Sequence, residues 1–115
     1  MDIDPESWAK IAAITAKLDN TSVLPAEQER FARIMKIGEE MGEVVEAFLG
    51  ALGQNPRKGI TNGLDKVGDE LTDVVITSWV AMYTVLGEAA PAAFAAAFDR
   101  VTTRTLNLPA VPAAR

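Results

Sequence analysis

Apolar residues recur along this chain at threes and fours, and no stretch alternates with the period of two that marks a strand. Asp4 followed by Pro5 is an N-cap placed before a residue that suits a first helical turn. Trp8, Ile11, Ala12, Thr15 and Leu18 then continue at helical spacing. Asn20-Thr21-Ser22 ends this first predicted helix. Pro25 opens a second, striped by Phe31, Ile34, Met41, Val45, Phe48 and Leu52 until Gly53 closes it. The run Gly53-Gln54-Asn55-Pro56-Arg57-Lys58-Gly59 reads as a loop. A third helix is predicted from near Gly63 to Leu86, stopped by Gly87. One face of it carries Leu64, Val67, Leu71, Val74, Ser78, Met82 and Val85, and a second apolar set, Ile76, Trp79, Val80 and Tyr83, lies round the back. A helix apolar on two faces is expected to be covered on both, which suits the centre of an oligomer. A shorter alanine-rich helix, from near Pro91 to Thr105, carries Phe94, Phe98 and Val101. The expected fold class is all-α, with four helices in one domain over residues 1–106. A flexible tail follows over 107–115, interrupted by Pro109 and Pro112.

Composition narrows the chemistry. A chain of 115 residues fits one domain, and an apolar share of 49% excludes a disordered tail protein. With 11 basic and 16 acidic side chains the net charge is −5, so no basic field is available to grip nucleic-acid phosphates. Asp2, Asp4 and Glu6 stand where a basic leader would be, and wholly apolar runs last only a few residues. A cytoplasmic protein without a membrane partner is therefore expected. The mean hydropathy of +0.11 is high for a small monomer and points to burial against a second copy. There is no cysteine and no histidine. That excludes thiolate nucleophiles, Ser-His-Asp chemistry and His-ligated zinc, and leaves carboxylates, amines, hydroxyls or a hard metal.

Carboxylates are the residues that stand out. The second helix contains Glu39-Glu40-Met41-Gly42-Glu43 and then Glu46; the third contains Asp69-Glu70-Leu71-Thr72-Asp73. At about 100° per residue, Glu40 and Glu43 stand about 60° apart on one edge of their helix, and Glu70 and Asp73 repeat the relation. Both pairs border the apolar stripe. Taken singly, each reads as a solvated helix face. Matching pairs on consecutive helices argue for a shared site, because four carboxylates converging beside a core repel one another and lose hydration. A hard divalent cation, with its preference for oxygen ligands and for phosphate-bearing partners, resolves the conflict. Lys36 and Lys66 each precede a pair by one turn, as Lys36–Glu40 and Lys66–Glu70. For Lys66 an ordinary i, i+4 ion pair is expected; for Lys36 an ion pair and a phosphate contact are equally open. Glu46 reads as a surface acid.

Lys36 to Glu46 together with Gly68 to Val75 resembles the MazG-like all-α nucleoside triphosphate pyrophosphohydrolases. Their signature is Glu-Glu-x-x-Glu, a spacer, then Glu-x-x-Asp. Here it reads Glu39-Glu40-x-x-Glu43, residues 44 to 69, and Glu70-x-x-Asp73, with Gly38 and Gly42 as small flanking residues. The match covers about a third of the chain; the first and last helices are not matched residue by residue. The resemblance implies Mg²⁺-dependent cleavage of a (deoxy)nucleoside triphosphate to monophosphate and pyrophosphate, with Mn²⁺ as a substitute metal. Glu40, Glu43, Glu70 and Asp73 would be the metal ligands. Glu39, which projects about 100° away from Glu40, would act behind them or as a base toward water. Lys36, Lys58, Arg100, Arg104 and Asn107 are the candidate substrate contacts, although Arg100 and Arg104 equally suit a helix C-terminus. Trp8, Phe31, Trp79 and Tyr83 are candidates to stack on a base and, at helical spacing, equally candidates for core. Relatives of this kind assemble as homodimers or homotetramers, and divide between broad nucleotide housecleaning and selectivity for dUTP or dCTP. A non-catalytic helical adaptor is the rival expectation.

Overall fold

The structure, a computed structural model, describes residues 4–113. Asp2 and the last two residues of the predicted tail lie outside the described residues. The chain is all-helical, with no strand among the described residues. Helix α1 spans Pro5–Thr21, α2 Ala26–Leu52, α3 Leu64–Leu86 and α4 Ala90–Leu106. The last two are joined directly by a 3₁₀ turn, Gly87–Ala89, so three helical stretches are seen, the third bent at its middle. Local chemistry sets the limits. The Asp4 carboxylate accepts from the Glu6 N–H at 3.1 Å. Gly53 adopts φ 67°, ψ 35° to cap α2, and Gly87, at φ 60°, turns the chain between α3 and α4. Residues 108–113 have no regular structure.

Two cores form on α3. On one side, Trp8 and Ile11 of α1, Val80 of α3 and Ala90 make a buried cluster, with Ile76, Trp79, Met82, Tyr83 and Phe94 packed against it. Trp8, Trp79 and Phe94 meet pairwise at ring-centroid distances of 5.7, 6.1 and 5.8 Å. Trp8 and Trp79 are thereby core residues of the single chain. On the other side α2 packs against α3. Residues of α2 with low exposure recur as Arg33, Ile37, Glu40, Val44, Ala47 and Ala51, and those of α3 as Val67, Glu70, Val74, Thr77, Ala81 and Thr84. Alternating steps of three and four are the seam of a coiled-coil-like pair.

This seam is not the stripe of large apolar residues. Phe31, Ile34, Met41, Val45, Phe48 and Leu52 lie beside it and remain exposed, as do Leu64, Leu71, Val75 and Val85 on α3. The small and polar residues face inward and let α2 and α3 approach. No large side chain is fully buried among the described residues. The four helices do not close into a bundle within one chain, since α4 meets α3 only around the aromatic cluster. By length and composition alone, the stretch Leu64–Leu106 would cross a bilayer: an 18-residue window has mean hydropathy 1.3, of which only 17% is buried. Its packing on both α1 and α2, and the acids in its first half, are those of a core helix with uncovered sides.

Candidate metal centre

Glu40 and Glu70 belong to the α2–α3 seam itself, each with its side chain 14% exposed. Glu43 and Asp73, one turn along, stand at the exposed rim. One carboxylate oxygen from each of the four lies within 4.8 Å of those of the other three. The i, i+3 spacing accounts for each pair. The antiparallel run of α2 and α3, joined by the 53–63 loop, brings the pairs together. Such a quartet is unfavourable as it stands. The Glu70 Oε2 oxygen is buried and accepts no hydrogen bond. Glu43 is pushed above the ordinary carboxylate range, first by the Glu40 charge, then by lost hydration and the Glu70 charge. The closeness of both neighbouring carboxylates favours keeping the Glu43 proton. An orphaned carboxylate oxygen among four converging acids fits a hard cation with oxygen ligands, and the four residues can hold one.

The lysines are engaged by these acids. Lys66 Nζ lies 3.3 Å from Glu70, the ion pair expected from the spacing. Lys36 Nζ reaches Glu39 at 3.3 Å and Glu40 at 3.8 Å. Its pKa is raised, chiefly by the hydrogen bond to Glu39 and that carboxylate's charge, so it stays a cation beside the quartet. Glu39 is exposed and turned to Lys36, off the quartet's focus. Lys58 lines a cleft formed by α2 and the loop, next to the acids. Glu46, a solvent-facing acid, borders both this cleft and the one at the quartet. Arg100 and Arg104 on α4, and Asn107 at its C-terminal cap, are exposed, and α4 meets α3 near Trp79 and not at Glu70 and Asp73. Within one chain they are not brought to the quartet. Phe31 is 59% exposed on α2, and Tyr83 packs against the Trp8 cluster.

Two features had no sequence signal of their own. Arg33, with a side chain only 6% exposed, donates to Thr84 at 3.0 Å and pairs with Asp19 at 2.8 Å and Glu29 at 3.1 Å, tying α1, α2 and α3 together. Asn62 donates to the Ala47 carbonyl at 2.9 Å and fastens the loop to α2 one turn beyond Glu43. The residues around Asn62 give only a turn signal, and a charged residue at position 33 is read as solvent-facing. Comparison of the chain with protein-family models, with characterised proteins and with solved structures gave no match.

Proposed function

We propose that the protein is a Mg²⁺-dependent nucleoside triphosphate pyrophosphohydrolase of the MazG-like kind, acting in nucleotide-pool housecleaning as a homodimer or homotetramer. The observation that carries this reading is the convergence of Glu40, Glu43, Glu70 and Asp73 with a buried oxygen left unsatisfied. A dication held there would supply charge neutralisation for a phosphate-bearing substrate. The chain's part is to hold and orient. Glu40 and Glu70, in the seam, and Glu43 and Asp73, at the exposed rim, would be the residues to hold the ion. Glu39, set apart from the quartet, is the remaining carboxylate to take a proton from the attacking water. Of the candidate substrate contacts, Lys36 stands beside Glu40 and is placed to meet phosphate oxygens, while Lys58 lines the neighbouring cleft.

The test is pyrophosphate release from a panel of ribo- and deoxynucleoside triphosphates with Mg²⁺ and with Mn²⁺. Glu40→Gln and Asp73→Asn are expected to lose about 100-fold or more, in line with the loss of metal-site carboxylates. Variants as fast as the parent would refute the assignment. The same panel separates a broad enzyme from one confined to dUTP or dCTP, and a chain silent on every substrate would be an adaptor.

A further inference from the structure

The cleft at the quartet has a larger neighbour. The first, about 330 Å³, is bounded by Glu43, Glu70, Lys66 and Asn62; the second, about 550 Å³, by Val45 and Leu49 of α2 and Gln54, Asn55 and Lys58 of the loop. Glu46 and Thr61 line both, so the two adjoin. The larger volume is that of a small-molecule site.

Its chemistry distinguishes the two ends of a triphosphate. One cation, Lys58, is offset by one carboxylate, Glu46. The backbone N–H groups of Lys58 and Gly59 are engaged by the Asn55 carbonyl at 3.1 and 3.0 Å, and that of Thr61 by the Gly50 carbonyl at 3.0 Å. These amides are therefore not free to receive an anion. What the cleft offers is an aliphatic floor, Val45 and Leu49, edged by an acid and two amides. The Gln54 amide has no partner among the described residues, and the Asn55 side chain keeps its Nδ2 free because its Oδ1 accepts from the Arg57 N–H at 3.0 Å. A flat, neutral group with donors and acceptors round its edge matches this lining; a pyrophosphate does not. The loop is also held in place. A Cβ on Gly50 would stand 2.5 Å from both Asn62 Oδ1 and Thr61 Oγ1, so the loop rests on α2 where there is no side chain. Asn62 fastens it there.

We propose that the cleft between α2 and the 53–63 loop is the nucleoside subsite, with Gln54 and Glu46 hydrogen-bonding base and sugar while the phosphates lie over the quartet. The assignment of this site rests on the pyrophosphohydrolase reading, and two separate measurements keep the two claims distinguishable. The first is pyrophosphate release by the full chain with Mg²⁺, resolved into KM and kcat for each standard deoxynucleoside triphosphate. The second is calorimetric binding of the four deoxynucleoside monophosphates in EDTA. Gln54→Ala is expected to raise KM and weaken monophosphate binding by about five- to tenfold, the loss of one hydrogen bond, with kcat within about twofold and the melting temperature unchanged. Gly50→Ala, which displaces the loop, should weaken all four nucleotides together. Unchanged KM and unchanged monophosphate affinity in both variants would overturn the subsite while leaving the hydrolase standing. Monophosphate binding that depends on Gln54, without pyrophosphate release, would keep the subsite and refute the hydrolase. A parent that neither binds nor hydrolyses would refute both.

Discussion

Glu43 registers, in a single side chain, the strain of the acid quartet. Its raised pKa means that the folded chain resists losing this proton more than the unfolded chain does. The contribution of this group to stability is full below the ordinary carboxylate range and is lost as pH rises through the raised value. In EDTA, Glu43→Gln should therefore melt higher than the parent at pH 7, and the gap should close as pH falls into the carboxylate range. Thermal scans across that interval are the check, and a parent that outlasts the variant at neutral pH would contradict the strain. Mg²⁺ should act in the same direction as the substitution, and more strongly. A ligand at 100 to 1,000 times its Kd stabilises by about 3–4 kcal/mol, several degrees for a chain of this size. Glu43→Gln should gain less from Mg²⁺ than the parent does, because one ligand is gone and the repulsion it relieves is already reduced.

Helix limits were legible because caps are local chemistry. Asp4 with Pro5, Pro25, Gly53 and Gly87 act within a turn of themselves, and the helices start and stop within a residue or two of these signals. The acid quartet was legible for the same reason, since i, i+3 spacing fixes an edge of a helix whatever surrounds it. The phase of α2 was not. Its large apolar residues predict the face turned to the core, whereas Val44, Ala47 and the polar Arg33 and Glu40 form the seam and the large residues face outward. Sequence spacing assigns faces relative to one another but does not say which face packs within the chain. Arg33 illustrates how far the inward face departs from hydropathy. Its guanidinium joins Asp19, Glu29 and Thr84 across three helices, with Nη2 left unpartnered. Arg33→Met keeps the volume but removes every tie, leaving the largely buried Glu29 without its cation. Since Asp19 is mostly exposed, the loss is set by Glu29 and Thr84 and should be about 2 kcal/mol in urea unfolding. Asp19→Asn should cost less than about 1 kcal/mol, as exposed pairs do. An Arg33→Met variant as stable as its parent would mean that the three helices are held by the apolar contacts alone.

At the scale of the molecule, the chain is more extended and presents more surface than a compact monomer of its length. A radius of gyration of 17.9 Å compares with about 13 Å for a compact chain of this length. The accessible surface of 8505 Å² compares with about 6,100 Å² for a monomer of 12.3 kDa. The excess, about 2,400 Å² on each chain, is in the range that obligate interfaces bury. Much of it is contributed by the uncovered stripes of α2 and α3, where Phe31, Leu52 and Leu64 are 59%, 60% and 68% exposed, and by Met35, one turn from Phe31 and 76% exposed. A second copy laid along these stripes would supply the opposite half of a bundle that one chain leaves open. Met35 makes the decisive variant, because at 76% exposure a glutamate there disturbs nothing in the single chain, and surface changes of that kind move stability by less than about 0.5 kcal/mol. Sedimentation equilibrium should give a multiple of 12.3 kDa for the parent, with a melting temperature that rises with protein concentration. Met35→Glu should shift the parent toward smaller species and lower its melting temperature, since in the assembly the new charge is buried without a partner. A parent that sediments as one chain, and a Met35→Glu variant that melts where the parent does, would leave the exposed stripes without a second copy and the bundle without its other half.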